Sequence, residues 1–211
     1  MKKILCLIFS ILIFSSTIQS QSTIRLNLST GLNYTSLHQV EYYNNYQTIA
    51  GIIISGELEF NLFQNLAFSP GLNFSSKKYR TIVRNYPQTS ENRITYNYLS
   101  FPFKIKYYVP FNNLRLIIYG GVSLSFFLNG EDNVDVRGDL AKSYTVNIGK
   151  YTEANDFGLL IGNSVYITVT PTFSLIIAGE YVFSVKDYTK VDEFEDYFRN
   201  LSFQVGTSFQ L

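Results

Sequence analysis

Glu57 and Glu59 stand two residues apart, as do Lys104 and Lys106, and each pair is set among apolar neighbours. Arg25, Arg115 and Glu180 occupy comparable positions in other runs. Acids and bases withdrawn from water persist when they are matched and hydrogen-bonded. The expected chemistry is therefore an interior charge cluster. Glu57 and Glu59 would compensate bases that otherwise repel one another. A proton or solute path along the same charges is the alternative.

Catalytic signals are sparse. His38 is the one histidine, two residues from Ser36. Serine, histidine and a carboxylate together can cleave an acyl bond, so an enzyme using His38 to modify lipid is the catalytic alternative. However, Ser29 and Ser36 fall on opposite faces, and no local motif surrounds either. The expectation is no enzyme, no catalytic residue and no cofactor. Cys6 is the only cysteine, and without a second histidine no transition-metal site is expected. Glu131, Asp132, Asp135 and Asp139 form one acidic group, and Asp192, Glu193, Glu195 and Asp196 form another. Carboxylates can ligate calcium, but EF-hand spacing is absent, so both groups read as solvated loop. Tyr42, Tyr43, Tyr46, Tyr197 and Phe198 read either as a partner-binding surface or as a membrane boundary.

These residues need elements that separate two faces. Ile24-Arg25-Leu26-Asn27-Leu28-Ser29-Thr30-Gly31-Leu32-Asn33-Tyr34 alternates apolar with small polar residues, and Leu201 to Leu211 does so again. Successive side chains of a β-strand point to opposite faces, so this rhythm predicts strands. Eight are expected, at about 23–36, 49–61, 66–80, 95–109, 114–128, 156–169, 173–186 and 199–211. The connections 62–65, 110–113 and 170–172 are tight, whereas 37–48, 81–94, 129–155 and 187–198 are long and polar. That asymmetry is the one expected of an outer-membrane barrel, with both termini at the short-turn, periplasmic end. Pro102 cannot donate to a ladder and is expected at a bulge.

Residues 1–20 read as a signal peptide: Lys2 and Lys3, then an apolar run from Ile4 to Phe14, then small polar residues. Residues 21–211 then form one domain. Without Lys2 and Lys3 the formal charge of +1 becomes −1, and no basic excess points to nucleic acid. Charged residues make up 16% of the chain, against roughly 25% in soluble domains. Aromatics reach 17%, with no tryptophan.

A secreted soluble barrel binding an apolar ligand would alternate too, with its apolar face inward. Its outer face should then carry many Lys and Glu. Instead the polar faces read Asn27, Ser29, Gly31, Asn33, then Ala67, Ser69, Gly71, Asn73, Ser75, then Ser202, Gln204, Gly206, Ser208. These small residues suit a crowded interior. On the apolar face, Tyr34, Phe74, Phe126, Phe157 and Phe183 fall towards the loops. Phe60, Phe68, Phe111, Phe173 and Phe209 fall towards the turns. Two aromatic bands around an aliphatic one are what a bilayer selects. The reading is an all-β, eight-stranded antiparallel up-and-down transmembrane barrel, touching outer-membrane lipid.

Three stretches carry a family likeness: Tyr98-Leu99-Ser100-Phe101-Pro102-Phe103-Lys104-Ile105-Lys106-Tyr107-Tyr108, Asp156 to Gly162, and Leu201 to Leu211. They resemble strands of the PorT-like outer-membrane β-barrel family of Bacteroidota. The resemblance covers most of residues 22–211. It implies an eight-stranded barrel of the outer membrane, and one branch is tied to the type IX secretion apparatus. It brings no catalytic residues. A non-enzymatic barrel contacting other envelope or secretion proteins is the functional expectation.

Overall fold

The computed structural model of the chain describes residues 24–39, 46–85, 88–111, 114–138, 141–152, 154–185 and 196–211. The signal peptide expected at 1–20 lies outside them. The strands are β1 (Ile24–Gln39), β2 (Tyr46–Phe63), β3 (Leu66–Asn85), β4 (Gln88–Phe111), β5 (Leu114–Arg137), β6 (Lys142–Asn147), β7 (Asn155–Thr170), β8 (Phe173–Ser184) and β9 (Asp196–Gln210). Each barrel strand pairs antiparallel with its chain neighbour, β5 pairs with β7, and β9 returns to β1. Eight strands therefore close into a ring. β6 pairs with β5 alone and stands outside it. Arg25 pairs with Gln210, so the first and last described strands meet at the short-turn end.

The alternation sorts residues as hydrocarbon requires. Leu28, Ile54, Leu72 and Val205 are 45%, 54%, 48% and 59% exposed, whereas Asn27 and Ser202 are 5% and 4% exposed. The apolar side chains cover the outer wall and the polar ones fill the lumen. Phe173 and Phe209 lie 5.2 Å apart at the turn end, and Phe101 and Phe126 lie 5.8 Å apart further up the wall. At Gly31 an added Cβ would lie 1.9 Å from the Phe203 carbonyl oxygen, and at Gly121 2.0 Å from that of Phe103. Glycine at these inward positions lets neighbouring backbones close up.

Three expectations change. The stretches 81–94 and 129–155 are largely not irregular loops. β3 and β4 continue as a hairpin to Asn85 and Gln88, β5 runs to Arg137, and β6 folds back on it. Thr, Ile and Val recur there, and cross-strand charges hold the extension together. Pro102 sits at no bulge. The β3–β4 ladder skips two pairs between Pro70–Phe103 and Asn73–Ser100 without changing register. Gly71 faces the proline ring, since a Cβ there would lie 3.2 Å from Pro102 Cγ. A ladder can skip a missing N–H when the opposing residue has no side chain. Finally, Phe198 is no surface residue: it is fully buried in the upper lumen, against Tyr96 and Tyr98.

Placing a cation on the outer wall should be costly. Ile54→Arg is expected to destabilise the barrel by about 2–4 kcal/mol, as for arginine near a bilayer midplane. Urea unfolding in lipid vesicles would measure it.

Candidate functional site in the barrel lumen

The lower lumen is built from residue pairs at spacing two. Glu57 and Glu59 share the inner face of β2, and Lys104 and Lys106 share that of β4. Between these strands, β3 presents only Ala67, Ser69 and Gly71 inward, so the long side chains pass over it and meet. Lys104 Nζ lies 2.6 Å from Glu57 Oε1 and also contacts Glu180 of β8. Lys106 Nζ lies 2.7 Å from Glu57 Oε2 and 3.1 Å from Glu59 Oε2. Arg25 Nη1 approaches Glu59 Oε1 at 3.9 Å. Neutral donors add to the shell, and Glu59 Oε1 alone of the Glu57 and Glu59 oxygens accepts no hydrogen bond. Ser69 Oγ donates to Glu57 at 3.1 Å, Asn27 Nδ2 to Glu59 at 3.0 Å, and the Tyr166 hydroxyl to Glu59 at 3.3 Å. Six of the seven expected charges thus converge, three acids with three bases. Arg115 makes no ion pair among the described residues and is only partly covered.

A second cluster higher in the lumen escapes the reading of the sequence. Lys77 Nζ lies 3.1 Å from Asp156 Oδ2, which also accepts from Ser184 Oγ at 2.8 Å. The same ammonium sits 4.3 Å from the Tyr98 ring centre and 4.1 Å from that of Phe198. Lys77 continues the inward parity of Asn73 and Ser75, which is the one signal that could have found it. Its partner is 79 residues further along the chain. Two polar cavities remain, of about 30 Å³ beside the lower cluster and 40 Å³ beneath the upper one. Each has room for a few waters. Neither is a channel.

Other candidate groups are separated. Ser29 donates to Gln204 in the lumen, and Ser36 to the Arg199 carbonyl outside it. His38 lies on β1 opposite Tyr197, but its side chain falls outside the described residues. So do the side chains of Tyr46 and Asp196, and all of Tyr42, Tyr43, Asp139, Asp192, Glu193 and Glu195. Asp135 is engaged by Arg137 and Ser143, and Asp132 accepts from Asn92. Among the described residues no three His, Cys, Asp or Glu side chains converge as metal ligands would.

A plugged, eight-stranded cylinder with an apolar outer wall matches a known family. The model described as "Outer membrane protein beta-barrel domain" aligns with residues 19–209. The chain belongs to that family. Its outer-membrane location follows. The fold is also that of solved barrels. Neisserial surface protein A aligns at a TM-score of 0.50 and 13% identity, covering 89% of this chain and 97% of that one. The outer membrane protease OmpT of Escherichia coli aligns at 0.54 and 11%, covering 92% and 100%. Ail, the attachment invasion locus protein of Yersinia pestis, aligns at 0.45 and 14%, covering 88% and 99%. At such identities the likeness is one of fold alone. No curated protein matches in sequence.

Beyond the lipid belt, Glu91 gathers three guanidiniums on the outer face of the hairpin. Arg93 Nε lies 3.0 Å away, Arg80 Nη1 3.4 Å and Arg137 Nη2 3.5 Å. The hydrogen bond from Arg93, with the charges of Arg93 and Arg80, holds the Glu91 carboxyl below its ordinary 4.5. A depressed carboxylate value contributes stability above the unfolded value, and that contribution is lost as pH falls through the lower folded one. Amide exchange over residues 88–94 and 131–137, corrected for intrinsic rates, should therefore quicken below pH 4.5. In Glu91→Gln it should be quick already at neutral pH.

Removing one partner from the lower cluster leaves its buried counter-charges uncompensated. Lys106→Met is expected to cost about 3–5 kcal/mol, and Arg115→Met about 1 kcal/mol or less. Paired unfolding curves in the same lipid would give the contrast.

Proposed function

We propose that this protein is a non-enzymatic outer-membrane barrel that acts by presenting surfaces to other envelope proteins rather than by transport or catalysis. The observation that carries the proposal is the ion-paired lumen, where Glu57, Glu59, Glu180, Lys104, Lys106 and Arg25 occupy the space a solute would need. These six charges are spent on one another, and of the seven inward charges only Arg115, a guanidinium that holds its proton, makes no ion pair among the described residues. The surfaces left for recognition are the β3–β4–β5–β6 extension at one end and the short-turn rim at the other. Short turns face the periplasm in barrels of this architecture, which favours that side for the start of β1 and the end of β9. The likeness of residues 98–108 to a PorT-like strand makes secretion components of a Bacteroidota envelope the first partners to test.

Three measurements test the reading. The protein in planar bilayers should give no stepwise conductance. His38→Ala should leave lipid A and phospholipids unchanged, and an altered lipid profile would overturn the non-enzymatic reading. Cross-linking in intact cells, followed by purification in mild detergent, should recover a defined envelope protein, lost when residues 81–94 are replaced by a two-residue turn.

A further inference from the structure

Asn163 is misplaced for a lipid-facing residue. The outward series on β7 runs Phe157, Leu159, Ile161, Asn163, Val165, Ile167, Val169, so the amide stands at its centre. Asn163 is exposed, and among the described residues its side chain makes no hydrogen bond. Thr30, an outward hydroxyl of the belt, differs: it turns onto the Ile53 carbonyl at 3.1 Å. No other amide or charged side chain of the described residues points outward at this depth. In hydrocarbon there is no water to satisfy it, and polar groups in the membrane usually mark a function or a contact.

Its surroundings are equally unusual. Asn163 pairs with Ile118 of β5 and with Gly179 of β8. Gly120 is one row away, opposite Ile161. Counted from the short turns, Gly120, Asn163 and Gly179 are each the fourth outward residue of their strands, so they lie at one depth. Neither glycine is required by packing within the barrel. A Cβ at Gly120 would meet nothing nearer than the Leu160 carbonyl at 3.6 Å, and one at Gly179 nothing nearer than Asn163 Oδ1 at 3.6 Å. At Gly31 and Gly121, by contrast, a Cβ would strike backbone at 1.9 and 2.0 Å. The outer glycines leave a shallow notch around an unsatisfied amide, walled by Ile118, Ile161 and Ile177.

We propose that this face of β5, β7 and β8 is the contact between two copies of the chain. A carboxamide offers donors and an acceptor together. Lipid tails offer neither. The same amide across a two-fold axis supplies both at once, and a two-fold contact places each residue opposite its own counterpart near the axis. The glycines let the two walls approach closely enough for the amides to meet, as small residues do between transmembrane elements.

The test uses the full-length protein in its own outer membrane. Cys6 is the only cysteine, so with Cys6→Ser, Ile118→Cys, which pairs with Asn163 and leaves its amide in place, becomes a single reporter. Mild oxidation should convert it to a covalent homodimer of doubled mass. Ile54→Cys, on the far wall, should stay monomeric. Adding Gly179→Leu should abolish the cross-link while the barrel stays folded by heat-modifiable gel mobility. In lipid nanodiscs the wild type should be a dimer, and Asn163→Leu a folded monomer. A wild type that is monomeric in nanodiscs, or an Ile118→Cys reporter that gives no homodimer or links to a different protein, would overturn the proposal.

Discussion

Inside a bilayer a backbone N–H or carbonyl has no water to turn to, so a sheet can cross only if it has no edge. The pairing of β9 with β1, and of β4 with β5, meets that condition. Every strand of the ring has two neighbours, and each departure from regularity is handled locally. The ladder skips Pro102 because Gly71 faces it. Register shifts lie at Ile49/Ile53, Asn61/Phe63, Asn97/Tyr98 and Thr168/Thr170 without opening the ring. Closure also fixes the size of the interior, and the lumen's chemistry follows from that size.

Eight strands enclose a space that side chains fill. An apolar filling would make each strand apolar on both faces. Runs of 16–24 residues would then read as spanning helices. A polar filling keeps the alternation but brings charges out of water. The lower cluster meets that cost by sharing: Glu57 serves two lysines, each lysine serves two carboxylates, and Ser69, Asn27 and Tyr166 donate to further lone pairs, with Glu59 Oε1 left to the longer approach of Arg25. Such a network adds little net stability over a well-packed apolar one, but it is costly to break. It therefore constrains the relative placement of β2, β4 and β8 more than it strengthens them.

The upper lumen uses different chemistry. One ion pair, Lys77–Asp156, sits beneath a layer of Tyr79, Tyr96, Tyr98, Phe127 and Phe198. The aromatic faces stabilise the ammonium from above while the carboxylate holds it from the side. Above this layer the wall continues as the β3–β6 extension, where Glu91 and Asp135 bind arginines on the outer face. The molecule thus passes from lipid-facing wall to water-facing hairpin along the same strands.

Much of this was legible from residue order. A period of two over long stretches names strands. The small polar residues on one face, against Leu, Ile and Phe on the other, decide which side meets lipid, because only hydrocarbon outside tolerates that distribution. Glu57 and Glu59, and Lys104 and Lys106, could be placed in the lumen by parity alone. Tertiary structure decided the rest. Whether an acid meets a base depends on the stagger between strands, and on Ala67, Ser69 and Gly71 leaving room across β3. That is why Arg115, identical by parity, makes no ion pair among the described residues, and why Lys77 and Asp156 cannot be paired from residue order. It is also why Phe198 turned inward and residues 81–85, 88–94, 129–137 and 142–147 continued as strands. Parity is a property of one strand, written in its own residues. Partnership is a property of neighbouring strands, set by a closure that no single segment encodes.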